Sequence, residues 1–274
     1  MIEAQELRLG RVECAAVLAR QSAAWRKTAA KTVAVLVLIG YCAHRTGLLD
    51  VRRLREGVPA LFSLVGEMFP PRFEHARSWI LPVFDTLAMS IAGTALAVVL
   101  SLGLALLAAR PTTPHRAVQR AARLVLNLLR SIPELIMGII FVAAVGFGAL
   151  PGVLALGLHS VGMVGKLFAE SLEHVDEQPV EAIRAAGASP LQVVTHGYLA
   201  QVVPQMADVI FYRWEYNFRA STVLGAVGAG GIGFELIGSL RVMEYQEVSA
   251  IILVILAMVT LVDGLGARLR RHFK

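Results

Sequence analysis

Residues 86–109 read TLAMSIAGTALAVVLSLGLALLAA, 24 positions without a charged side chain, and residues 135–165 read LIMGIIFVAAVGFGALPGVLALGLHSVGMVG, 31 positions whose one titratable group is His159. A helix needs about 20 apolar residues to cross a hydrocarbon core of about 30 Å. In lipid every backbone polar group must be bonded internally, and a helix does this within one segment. The two stretches therefore predict an all-α polytopic membrane protein. Composition agrees: 56% of the 274 residues are hydrophobic and 17% charged, where a soluble domain carries about 45–50% and roughly 25%. A cytosolic two-domain enzyme, which the length alone suggests, is excluded, because apolar surface facing lipid needs no buried core.

Working outward, about six membrane-spanning helices are expected. The first is an uncleaved helix over 32–43, since Tyr41 is a poor residue near a cut after Ala43. The others fall at about 81–108, 121–146, from the Gly146–Gly152 punctuation to about Phe168, 202–224 and 248–267. An even number puts both termini on one side. The net charge of +6 then reports topology rather than nucleic acid, because Lys and Arg collect in cytoplasmic loops. Arg8, Arg11, Arg20, Arg26, Lys27 and Lys31 make residues 1–31 a cytoplasmic segment. The acid-free loop holding Arg110, Arg116, Arg120 and Arg123, and the tail from Arg268 to Lys274, fall inside too. The first outer loop opposes the rule, with six arginines against four acids between residues 44 and 79. An amphipathic helix over 51–69, lying along the outer interface, would reconcile it. Residues 32–79 thus form one region and 80–270 a core. Cys14 and Cys42 fall on opposite sides of the membrane, so neither a disulfide nor a metal site is expected.

Between the fourth and fifth helices, residues 170–197 form a polar loop containing Glu181-Ala182-Ile183-Arg184-Ala185-Ala186-Gly187. This resembles the EAA loop of ABC importer permeases, whose pattern is Glu-Ala-Ala, three residues, then Gly; Ile183 replaces the second alanine. The proline that usually follows a leucine about ten residues on is absent from Leu199-Ala200, and one occurs only at Pro204. His159-Ser160, Gly162, Lys166-Leu167-Phe168, Glu170 and Glu173 before the loop, and Arg213, Glu215, Asn217, Arg219 and Gly225–Gly233 after it, look like the phosphonate and phosphite branch of that family. The resemblance spans roughly residues 80–270. It implies a type I ABC importer permease fold in a bacterial cytoplasmic membrane, and transport of a phosphorus oxyanion. Its implied partners are a second copy of the chain, a cytoplasmic ABC ATPase dimer that binds ATP and Mg²⁺, and an extracytoplasmic substrate-binding protein. Glu181, Ala182, Arg184 and Gly187 are the implied ATPase-coupling residues. Physically, small residues let a short helix sit close in a partner's groove, and Gly187 can take the positive φ that ends it.

In the fifth helix Asp208, Tyr212, Glu215, Arg219 and Thr222 recur at helical spacing on one face. A charge at mid-bilayer costs about 2.5–3.5 kcal/mol even on the lenient insertion scale, so this face does not see lipid. It is read as lining a translocation path, with Glu215 and Arg219 close enough to pair at i, i+4; structural pairing is the alternative. Arg213 and Asn217 lie opposite and need a partner on another helix. Arg130 and Glu134 are expected to pair across Pro133, which should kink the third helix. His159 either packs through a hydrogen bond or faces the passage.

Two motifs are rejected. Gly228–Gly233 fits G-x-G-x-x-G formally, but no strand precedes it. Its glycines are read as ending the fifth helix and permitting close packing, or as a nest of free N–H groups for an anion. Gly165-Lys166-Leu167 lacks both the earlier glycine and the Ser/Thr of a phosphate-binding loop. No catalytic constellation and no metal-ligand spacing emerges, so the chain is not expected to be an enzyme or to carry a cofactor. The rivals are an ATPase-independent channel or secondary carrier, and a membrane-embedded enzyme.

Overall fold

A computed structural model describes residues 2–273, with side chains described at residue 21 and over 25–271. Cys14, the arginines at 8, 11 and 20 and Lys274 therefore lie outside the described side chains. Among the described residues every regular element is helical. The chain divides into two units, Met1–Gly66 and Glu67–Lys274.

The first unit holds α1 (Ile2–Arg45) and α2 (Val51–Glu67), joined by a turn in which Gly47 takes φ +75°. Val51, Leu54, Val58, Leu61, Phe62 and Val65 share one face of α2, as 3.6 residues per turn requires. All six are exposed and nothing in α2 is buried. The expected amphipathic helix is thus present, with its apolar face bare. Two of its arginines are matched locally, Arg52 to Glu56 at 3.0 Å and Arg53 to Asp50 at 3.1 Å.

The second unit holds α3 (Ile80–Ala108), α4 (Arg116–Ser131), α5 (Glu134–Val145), α6 (Ala149–Glu173), α7 (Glu177–Ala185) and α8 (Pro190–Gln192). A π-helical segment, Val193–Leu199, runs directly into α9 (Ala200–Gly225), and α10 (Ile232–Arg241) and α11 (Tyr245–Phe273) complete the unit. By length and composition α3, α6 and α11 can each cross a membrane, and the bent pair of α4 and α5 together is apolar enough for a fourth, broken span or a re-entrant loop. The centre of α9 carries Asp208, Arg213, Glu215 and Arg219, and its surroundings below explain how.

Close helix packing comes from small residues. Lipid gives helices no hydrophobic reason to associate, so van der Waals contact between approaching backbones has to supply it. On α3 the residues Ser90, Gly93, Thr94, Ala97, Ser101 and Ala105 are buried along one stripe, where Gly93 and Ser101 meet α6 and Ser90 and Thr94 meet α9. A Cβ on Gly162 of α6 would stand 2.6 Å from the Leu126 carbonyl oxygen and 2.7 Å from the Arg130 nitrogen of α4, so only glycine permits that crossing.

One expected element is corrected. The continuous helix over 121–146 is two helices bent by 85°. Pro133 has no N–H to donate, and its ring forces Ile132 into extended backbone (φ −92°, ψ 119°), so the helix stops and restarts instead of kinking. The Gly225–Gly233 stretch behaves as a packing turn. Gly228, Gly230 and Gly231 have φ +98°, +76° and +72°, and a Cβ on Gly233 would overlap the Thr222 carbonyl. The Ile232 N–H donates to Thr86 Oγ1 at 2.9 Å and the Ala229 N–H to the Leu224 carbonyl at 3.2 Å, so the loop uses those amides internally.

Candidate functional site

Residues 170–197 fold as a protruding knuckle. Asp176 caps α7 by accepting from the Gln178 N–H at 3.0 Å. At the other end Gly187 has φ +82°; its N–H donates to the Arg184 carbonyl at 3.0 Å, and Ala188 N–H donates to the Ile183 carbonyl at 3.4 Å. This pair of bonds is a Schellman motif, and glycine at its left-handed position avoids the Cβ penalty. Val180 is fully buried against Gly197 and Tyr198, and Arg184 Nη2 donates to the Tyr198 hydroxyl at 3.2 Å. Thus α7 is tied to the π-helical segment and so to the base of α9. Glu181, Ala182, Ala185 and Ala186 are exposed, and space around Gly187 is open. Of the expected coupling residues, Glu181, Ala182 and Gly187 face outward, while Arg184 folds back onto the chain itself.

The polar face of α9 pairs across to α11, not along itself. The expected Glu215–Arg219 pair does not form. Arg219 Nη1 donates to both carboxylate oxygens of Asp263 at 2.9 Å, and Arg270 Nη1 lies 2.9 Å from Glu215 Oε1 and its Nε 3.8 Å from Asp208. Glu215 Oε1 is enclosed and not aligned for a hydrogen bond, so its contact with Arg270 is one of charge. A Cβ on Gly266 would overlap that oxygen; glycine is what lets the carboxylate reach α11. Tyr212 remains exposed. Two oppositely charged groups on a second helix therefore outcompete the i, i+4 neighbour, because they also leave no carboxylate of α11 unpaired in the bilayer.

The opposite face of α9 enters a buried network. Arg213, 3% exposed, donates from Nε to Ser160 Oγ at 2.8 Å; Ser160 in turn donates to Asn217 Oδ1 at 3.0 Å, and Asn217 Nδ2 donates to Thr94 Oγ1 at 2.9 Å. Donor order is fixed along this chain, since a guanidinium can only donate. The Arg213 guanidinium carbon stands 4.2 Å from the centre of the Tyr216 ring, and the Tyr216 hydroxyl donates to Glu134 Oε1 at 2.8 Å. His159 Nε2 is 3.3 Å from Glu134 Oε2, and its Nδ1 is 3.0 Å from the Ile132 carbonyl that the Pro133 break sets free. The expected Arg130–Glu134 pair does not form, because the two residues sit on helices at 85° to each other. Arg213, His159 and Glu134 are brought into one cluster; Asp208, Glu215 and Arg219 form a separate ladder; Arg130 joins neither.

Sequence reasoning passed over Tyr216, Thr94, Asp263, Arg270 and Gly266. Asp263 carried a usable signal, an acid inside an apolar span. Thr94 and Tyr216 carried none, since an uncharged polar residue in a helix has no visible partner until the helices pack. Among the described residues no group of three or more His, Cys, Asp or Glu could hold a metal.

Comparison with known proteins follows this geometry. The family described as binding-protein-dependent transport system inner membrane component matches residues 101–274. A phosphite transport system permease protein, PtxC, of Stutzerimonas stutzeri is 66% identical over 250 residues, covering 91% of this chain and 90% of that protein. A phosphate-import permease protein, PhnE, of Mycolicibacterium smegmatis is 44% identical over 219 residues, covering 80% of this chain and 41% of that one. Among solved structures, an inward-facing conformation of the MetNI methionine ABC transporter aligns with TM-score 0.63 at 23% identity, over 73% of this chain and 99% of that one, which speaks to fold alone.

Proposed function

The chain belongs to the family of binding-protein-dependent transport system inner membrane components, as a permease subunit of an ABC importer, and from that premise we propose that its cargo is phosphite or a closely related phosphorus oxyanion. One observation carries the reading: 66% identity to a phosphite permease across nine-tenths of both chains. Two copies surround the path, since one such bundle is too small to enclose a gated passage, and symmetric pairing is the usual solution. Both termini and residues 170–197 are cytoplasmic. ATP and Mg²⁺ bind on a separate ATPase dimer, and an extracytoplasmic binding protein delivers the cargo.

In this mechanism the exposed small-residue face of α7, with Glu181, Ala182 and Gly187, sits in the ATPase groove. ATPase closure moves α7, and the movement passes through Val180, Arg184 and Tyr198 into the π-helical segment and α9. Asp208, Tyr212, Glu215 and Arg219 lie where α9 moves against α11, so their charge ladder rearranges as the path opens. An ATPase-independent channel or carrier is the rival. Vesicles holding the complex, with external binding protein and phosphite, decide between them: uptake requires internal ATP here, and uptake without ATP would overturn the proposal.

A further inference from the structure

Arg213 presents a problem that the transport reading leaves open. It sits within α9 with its side chain almost wholly buried, and its Nη2 is enclosed without a hydrogen-bond partner among the described residues. Its Nε is held by a neutral hydroxyl and its face by a neutral ring. Among the described residues no carboxylate lies within ion-pair distance of it. A buried charge without a counter-charge is strongly destabilising, and a polar group with no partner calls for a specific cause.

The one carboxylate of the cluster is engaged elsewhere. The Ile132 carbonyl can only accept, so His159 Nδ1 carries a hydrogen. Glu134 accepts from the Tyr216 hydroxyl through Oε1 and lies 3.3 Å from His159 Nε2 through Oε2, so neither oxygen is bonded to the guanidinium. His159 lies ten residues into α6, about 15 Å from its start, within a helix long and apolar enough to cross a membrane. Nor is the cluster sealed, because the Glu134 side chain remains 25% exposed.

Glu134 is also unusual. Its carboxylate receives the Tyr216 hydroxyl, the donor that a cargo oxyanion would use, and faces His159, whose Nε2 donates to such an anion when the ring is protonated; the guanidinium lies against the face of the Tyr216 ring. We propose that Arg213, Tyr216 and His159 form an intramembrane binding site for a singly charged tetrahedral oxyanion, and that Glu134 is the internal carboxylate such an anion displaces. The inference rests on the cargo class proposed above. It assigns an exchange: the anion takes the place that the Glu134 carboxylate holds, and return of Glu134 to Tyr216 and His159 favours release. A site with a built-in competitor binds weakly and lets go, which a transport path needs and a storage site does not. The Thr94–Asn217–Ser160 chain holds Arg213 in place from the far side.

The test uses the permease–ATPase complex in lipid nanodiscs without the binding protein, titrated with radiolabelled phosphite. Wild type binds saturably. Arg213→Gln raises the half-saturating concentration at least tenfold, and Glu134→Gln, which keeps an acceptor for Tyr216 but removes the competing charge, lowers it three- to tenfold. Opposite shifts support the site, since loss of packing would weaken both variants alike. Binding absent in wild type, unchanged in both variants, or shifted the same way in both overturns it. Should Arg213→Gln fail to co-purify with the ATPase, Glu134→Gln decides alone: a lowered half-saturation supports the site, and an unchanged or raised one removes it. ATP-dependent phosphite uptake by wild-type vesicles separates the two ideas. Uptake with unmoved variants removes the site only, whereas absent uptake of any phosphorus oxyanion removes the cargo reading and the site with it.

Discussion

Gly187 and Gly266 are both required as glycine, for different physical reasons. At Gly187 the demand is conformational, since φ is +82° and nothing stands within 4 Å of an added Cβ. Gly187→Val should cost about 1–2 kcal/mol in the left-handed region, unravel the end of α7 and reduce ATPase co-purification. Gly187→Asn, which tolerates that region, should retain it; equal loss in both would show that side-chain bulk matters instead. At Gly266 the demand is steric. Any Cβ meets the Glu215 carboxylate, so Gly266→Leu should lower stability by about 1–3 kcal/mol, as overpacking does, read as thermal unfolding in detergent. The Arg219–Asp263 pair, with side chains 46% and 43% exposed, belongs to a third class. Arg219→Ala should impair uptake more than stability. In a double-mutant cycle with Asp263→Ala the losses should be non-additive, and full additivity would mean that the two do not act together. The legible part here was residue type: charges in α9 were visible in the sequence, but their partners were not, since partner choice depends on which helix packs alongside.

Among the elements, the π-helical segment 193–199 joins the knuckle to the base of α9. Such segments are rare and favour functional positions, because an extra residue per turn leaves the backbone less tightly bonded. Pro204 further loosens the base of α9 by withholding its N–H from the Ala200 carbonyl. Deleting Thr195 should rotate α7 against α9 by about 100°. The complex should still assemble, yet uptake per ATP hydrolysed should fall several-fold, and an unchanged ratio would show that the segment transmits nothing. The elbow between α4 and α5 was half legible. Pro133 announced a disturbance in an otherwise spanning helix, but a proline dictates only the lost bond and the extended Ile132. The 85° angle comes from where α4 and α5 each find packing on α6, with Gly162 letting α4 approach.

At the scale of the whole molecule, single cysteines placed within residues 176–190, in a chain with Cys14 and Cys42 replaced, should react with an impermeant thiol reagent only from the cytosolic side; labelling from outside would invert the proposed topology. The sequence by itself determined the class: uncharged runs longer than a bilayer is thick admit only helices, and the Glu181–Gly187 pattern gave the capped knuckle its place and its turn. Both rest on local physics, hydrogen bonding within a segment and the φ range of a single residue. Tertiary structure decided who answers whom. Glu215 meets Arg270, Arg219 meets Asp263, and Glu134 meets Tyr216 and His159, across sequence separations that no helical period relates. The physical reason is that a buried charge binds to whatever donor or acceptor packing brings within about 3 Å, and only the arrangement of all the helices fixes which one that is.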